Sequence, residues 1–256
     1  FVTVMTICLA SSMTFKSIAR LYLGELEGNK SQSSGSNLDI TAGILSEAGS
    51  EIEVLRSRSL VRRAVLASGL NVTVAPPGWE PPRFWRWLLS RRDPDLLDIT
   101  ANQVNANETM LADDIVTKRS YKVRFLSPTE YVLRANGLQP VRGRIGQPVK
   151  TTQLTLTLVA GREGLKAGEE FDVVVEPLED VVERSLEELD VAIPKGGSAT
   201  EQVRVLTLSF ASSSRRKSAA FLDQLIRGYL DARHAWKTED ATAAERGPDG
   251  EGTVQS

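Results

Sequence analysis

The chain has 256 residues, enough to bury one large core or two modest ones. Its 31 basic and 33 acidic residues leave a net charge of −2, so no global field favours nucleic acid as a partner. A lone cysteine (Cys8) and a lone histidine (His234) exclude an intrachain disulfide, Cys-based or His-rich metal sites, and triads that need a second imidazole.

The first stretch, FVTVMTICLASSMTF, is uncharged until Lys16 and largely apolar, but shorter than the roughly 20 residues of a membrane-spanning helix. Residues 1–16 read as the distal end of a transmembrane helix, with a cleaved signal peptide and a buried core helix as alternatives. KSIARLYLGE follows with a strand's alternation. LGELEGNKSQ approaches a phosphate-binding loop, but its second glycine, Gly28, comes one place early, and SQSSGSNLD supplies loop chemistry where a helix should begin. It is read as a flexible loop.

SEIEVLRSRSLVRRAVLASGL reads as an amphipathic helix with a capping box at Ser50 and Glu53, a break near Ser57 to Ser59, and a stop at Gly69. Ile52, Leu55, Leu60, Ala64 and Val65 form its apolar stripe; Arg56, Arg58, Arg62 and Arg63 cover the other side. APPGWEPPRFWRWLLSRRDPD begins as a proline-rich connector and ends with Trp85, Arg86, Trp87, Arg91 and Arg92 interleaved. Such a cluster suits a membrane interface, and equally a stacked sugar or a loop anchored on the core.

The period then changes to two. YKVRF, EYVLRANGLQPVRG with its Asn136-Gly137 hairpin signal, QLTLTLVA and EEFDVVVE read as strands of a small antiparallel β unit over 118–176. PLEDVVERSLEELDVAIP returns to helix, and its carboxylates, interspersed with Arg184 and apolar residues, read as a solvated face in place of a convergent acid/base pair. EQVRVLTLSF is a strand. SSSRRKSAAFLDQLIRGYLDARHAW is a serine-capped helix with a seam of Ala219, Leu222, Ile226, Tyr229, Arg233 and Trp236, and residues 238–256 read as a disordered tail or a continuation of that helix. The expected fold class is α+β, with a small antiparallel β unit set between helical segments.

The order of these elements, and the phrases SEIEVLRSRSLVRRAVLASGLN, YVLRANGLQPVRGRIGQPV, LTLTLVAGREGLKAGEEFDVV and VRVLTLSFASSSRRKSAAFLDQLIRGYLDAR, resemble the periplasmic region of the polysaccharide co-polymerases. These are the Wzz-type chain-length determinants, in particular the branch fused to a bacterial tyrosine kinase. Glu51, Ile52, Glu53, Leu55, Ser57 and Arg58 match the family's pattern after its first strand, and Leu225, Ile226, Tyr229 and Leu230 match its final helix. SSSRRKS stands where the family usually has Asp-Pro. The resemblance covers nearly all of residues 1–237 and implies that 17–237 are the periplasmic α/β domain, a membrane-proximal α/β base with the β unit of 118–176 inserted.

It implies a ring-forming homo-oligomer of the bacterial inner membrane, with the bulk of this chain in the periplasm. Such an assembly regulates the chain length or export of a surface polysaccharide beside a polymerase or export machinery. Its expected partners are those proteins and the lipid bilayer. Glu51, Glu53, Arg56, Arg58 and Arg62 become candidate oligomer contacts, with a solvated helix face as the plain alternative, and the Trp85 to Arg92 cluster a membrane-surface or loop anchor. The expectation for the chain itself is a non-enzyme without catalytic, cofactor or metal residues, any kinase activity lying beyond Ser256. A periplasmic adaptor of an export system and a carbohydrate-acting enzyme are the rival readings.

Overall fold

A computed structural model describes residues 14–22, 48–75, 104–112, 115–161, 165–193 and 205–245. The protein is α+β, with eleven described strands in three antiparallel sheets and four described helical segments. The apolar opening stretch, the near-phosphate loop and the Trp85 to Arg92 cluster lie outside the described residues. Among the described residues no helix is long and apolar enough to cross a membrane.

The base is built from the two ends of the chain. Strand β1 (Phe15–Tyr22) pairs antiparallel with β11 (Val205–Ser212), Phe15 opposite Ser212 and Tyr22 opposite Val205. The short β10 (Leu189–Ala192) lines the other side of β11. Alternation turns Leu206, Leu208, Phe210 and Leu21 to one face. That face shares one core with α1 (described over 48–55), α2 (Arg58–Ser68), α3 (Leu178–Glu188) and α4 (Arg215–Glu245), through Leu55, Leu60, Val61, Val65, Val182, Phe221, Leu225 and Tyr229.

The helix expected over residues 50–69 exists, with its break. Arg56 leaves the helix and Ser57 is extended (φ −63°, ψ 134°), so α1 and α2 are separate pieces. Ser50, however, is already helical, which removes the capping box read at Ser50 and Glu53. At the far end Gly69 adopts φ 62°, its N–H donating to Leu66 O and that of Leu70 to Val65 O, which satisfies carbonyls the helix leaves open. The final helix also differs in detail. Its buried face is Ser218, Phe221, Leu222, Leu225 and Tyr229, whereas Ala219 and Trp236, expected on the seam, are exposed. The two large apolar residues Phe221 and Leu225 turn the helix by about one position from the expected register.

The β unit has a core of its own, shared by two sheets. One is β2 (Val72–Ala75), β9 (Glu170–Val175), β4 (Arg119–Phe125), β5 (Glu130–Ala135) and β6 (Leu138–Arg144), in that spatial order. The other is β3 (Val104–Leu111), β8 (Leu154–Ala160) and β7 (Pro148–Lys150). Tyr121, Val123, Phe125, Phe171, Val173 and Val175 meet Leu154, Leu156 and Leu158 in one cluster, with Phe125 and Phe171 edge to face at 5.8 Å. Consecutive strands β8 and β9 thus belong to different sheets. Asn136-Gly137 makes the expected hairpin, but only Gly137 has positive φ (76°), the sign pattern of a type II turn and not of the type I′ turn that Asn-Gly favours.

Gly69 ties the two cores: a methyl there would run into the backbone carbonyl of Ala106 on β3, at a φ that L-residues avoid. Gly69→Ala is expected to destabilise the protein by about 2 kcal/mol or more in urea titration. Gly49→Ala, a helical site with nothing within 4 Å of the added carbon, is expected to stabilise it by up to about 1 kcal/mol. Equal and small effects would show that the capped turn is not a rigid junction.

Candidate functional site

The break at Arg56-Ser57 sets two short helices of opposite charge logic against α3 and α4. On α2, Arg58 and Arg62 stand one turn apart and share a face; on α3, Glu179 and Glu183 do the same. The two rows meet. Arg58 Nη2 lies 2.7 Å from Glu179 Oε2 and 3.4 Å from Glu183 Oε1, and Arg62 Nη1 lies 3.4 Å from Glu179 Oε1. Arg58 also donates from Nε to the same Glu179 oxygen at 3.2 Å. All four side chains remain about half exposed, so solvent screens these pairs and they steer packing more than they hold it. Arg56 Nη2 reaches Leu186 O, near the end of α3, at 3.4 Å.

Glu51 behaves differently. Its side chain is only 16% exposed, accepts a hydrogen bond from Tyr229 Oη at 2.7 Å, and stands 3.9 Å from Arg233 Nε. Burial first, and then the Glu51 carboxylate, push the Tyr229 phenol well above its ordinary range, so it stays a donor. This contact clamps α1 to α4. Of the five candidate contact residues, then, Glu51 faces inward, Arg58 and Arg62 lie over α3, Arg56 reaches the backbone of α3, and Glu53 is exposed. The partners Glu179 and Glu183 were read from sequence only as a solvated face; the signal that could have matched them is the shared four-residue spacing of opposite charges.

A second charged node joins the base to the β unit. Glu176, between β9 and α3, receives Arg184 at 2.6 Å and Lys118 at 3.2 Å. Burial pushes its carboxyl upward, but the hydrogen bonds and charges of Arg184 and Lys118 outweigh this and hold it below the usual value. Its backbone N–H donates to Asn71 O, while Asn71 Nδ2 donates to Thr109 O at 2.6 Å, both side chains being buried. Among the described residues no three His, Cys, Asp or Glu side chains are grouped as a metal centre requires.

The chain is similar to two bacterial proteins over most of its length. It is 25% identical over 210 residues to the putative tyrosine-protein kinase EpsB of Ralstonia solanacearum, covering 77% of this chain and 27% of that protein. It is 22% identical over 218 residues to the tyrosine-protein kinase Wzc of Salmonella typhi, covering 82% and 28%. The chain spans little more than a quarter of the length of the curated relatives it matches. No family model matches it. Among solved structures, Xanthomonas campestris FlgL aligns with 65% of this chain and 50% of its own at 10% identity, with a TM-score of 0.24, too low to support any structural argument.

These names correct one expectation. The chain was expected to be a non-enzyme, yet the curated relatives are named tyrosine-protein kinases, and a quarter-length match does not detach it from such an activity. The non-enzyme reading therefore does not stand.

Two outcomes follow from the clamps. Tyr229→Phe removes a buried hydrogen bond to a carboxylate and is expected to lower unfolding free energy by about 1–3 kcal/mol, measured by urea titration; a loss within error would mean Glu51 is satisfied without it. Glu176 has a depressed folded-state pKa, so its contribution is complete above the ordinary value of 4.5 and fades as pH falls through the folded value. The stability gap between wild type and Glu176→Gln should be flat above pH 4.5 and narrow below it. A gap independent of pH would remove the ion-pair explanation.

Proposed function

We propose that this chain is the periplasmic α+β region of an inner-membrane polysaccharide co-polymerase, of the Wzz-type branch that includes tyrosine kinases, and that copies of it assemble in a ring to regulate the length or export of a surface polysaccharide. The observation that carries the reading is the similarity to EpsB and Wzc along 77% and 82% of the chain. The base, the inserted β unit and the final helix are compatible with it. A ring from one kind of chain requires heterologous contacts that close, and these in turn require each copy to present the same rigid surface. The α1–α4 clamp supplies that rigidity and the α2–α3 pairs orient the helices, leaving Glu53 and the outer edge of Arg56 to face a neighbour. The bilayer is engaged through residues 1–16 and the Trp85 to Arg92 cluster, and the polymerase or export machinery is the protein partner.

Glu53→Lys with Arg56→Glu exchanges the charges at the end of α1 and in the turn after it without touching the ion pairs of Arg58 and Arg62. The double variant is expected to give a smaller particle mass in light scattering, with a melting temperature close to wild type, and an altered polysaccharide size distribution in cells. An unchanged mass would overturn this face as the ring contact; an unchanged polymer in cells lacking the protein altogether would overturn the function.

A further inference from the structure

The outer face of the five-stranded sheet carries a cation cluster that the charged seam does not use. Alternation places Tyr121, Val123 and Phe125 inward, and so Lys122 and Arg124 of β4 outward. Their neighbours follow from the register. Lys122 lies directly opposite Arg134 on β5, and Arg124 opposite Val132, whose other cross-strand neighbour is Arg142 on β6. Arg144 lies opposite Glu130. Five cations therefore project from three adjacent strands. Two are neutralised at home, Arg124 by Glu170 at 3.6 Å and Arg144 by Glu130 at 3.0 Å. Lys122, Arg134 and Arg142 are exposed and form no ion pair among the described residues, although Asp172 stands opposite Lys122 on β9.

Like charges directly across a strand pair destabilise a sheet, so the Lys122–Arg134 juxtaposition is a cost that Asp172, opposite Lys122 on β9, offsets only for Lys122 and not for Arg134 or Arg142. An anionic partner would remove it. Val132 between Arg124 and Arg142 is only 9% exposed, and the face offers no aromatic or large apolar side chain for insertion between lipids. Among the described residues, the exposed large apolar side chains lie elsewhere, apart from Leu126 just past the end of β4. Guanidinium forks on a flat polar surface suit carboxylates presented one after another along an extended chain.

We infer that the outer face of β4, β5 and β6 binds an acidic, uronate-type polysaccharide through Lys122, Arg134 and Arg142. The inference rests on the polysaccharide reading above and deepens it by naming the charge class of the polymer. Polygalacturonate is the probe, titrated into the 256-residue chain alongside neutral dextran and phosphatidylglycerol vesicles. Wild type should bind polygalacturonate, fail to bind dextran, and weaken as salt rises from about 0.1 to 1 M and the screening length falls from about 10 to 3 Å. The Lys122→Glu, Arg134→Glu, Arg142→Glu variant should lose about tenfold or more in affinity with an unchanged circular dichroism spectrum. If that variant does not fold, the corresponding glutamine variant is expected to show a smaller loss in the same direction.

No binding by wild type, or equal binding by folded variants, would overturn the inference. So would vesicle binding through these three residues without polygalacturonate binding, which would assign the face to a membrane. Particle mass and cellular polymer length, measured on the same variants, separate the two levels: loss of binding with both preserved removes only the acidic-polymer surface.

Discussion

The fold depends on one long-range pairing. β1 and β11 lie nearly 200 positions apart in sequence yet align over eight residues, and no local propensity brings them together. Their inward residues, Leu21 with Leu206, Leu208 and Phe210, belong to the one core that every described helix shares. Closing so large a loop is unfavourable in entropy, and only the burial of many apolar side chains at once offsets it. Phe221, Leu225 and Tyr229 complete that burial from the helix directly after β11, Phe221 packing against Phe210 with ring centroids 4.2 Å apart and planes tilted by 36°. The base is thus cooperative: β1 has no place without β11, and α4 has no floor without either.

The same pairing explains why the β unit can sit within the base without disturbing it. Chain leaves the base through Gly69 and returns through Glu176, and these points are joined by backbone, since the Glu176 N–H donates to Asn71 O. Asn71 then reaches into β3 through Thr109 O, and Lys217 at the start of α4 donates to Val72 O. Buried amide groups of this kind are costly when unpaired, so each bond narrows the orientations that the unit can take. Among the described residues, Asn71 Oδ1 at this junction, Tyr121 Oη, Tyr131 Oη and Asp172 Oδ1 in the β unit, and Ser209 Oγ on β11 are buried without a protein partner. Burial holds the Tyr131 phenol up to about 12, which keeps it neutral.

Strands with strict alternation were legible in sequence because one face of each is fully buried and the other wet. Leu154, Leu156 and Leu158, or Phe171, Val173 and Val175, admit no second register. β3 was not legible. Its VNANETML is mostly polar, and a register shift between Asn107 and Met110, with Glu108 at φ 50°, breaks the period where a reader would count it. β10 was hidden for another reason: Leu189 ends α3 and begins the strand at once, with no glycine or proline to mark the change. The charged seam was half legible. Arg58 and Arg62 were visible as a row, but their match to Glu179 and Glu183 depends on packing across more than 100 residues, which periodicity cannot encode.

That match changes how surface charge on the base should be read. A guanidinium already engaged by two carboxylates has less to offer a second copy, because a new contact must first weaken the old one. Charges left over after internal pairing are the informative ones, and they include Glu53 on α1 and the Lys122, Arg134 and Arg142 row on the outer sheet. The first belongs to the base that holds the chain ends, the second to the inserted unit. The inserted unit thus presents an exposed, charged sheet face that no described element covers. Such a face can change its side chains without altering the base, because inward and outward residues of a strand are separated by the pleat and only the inward set specifies the core.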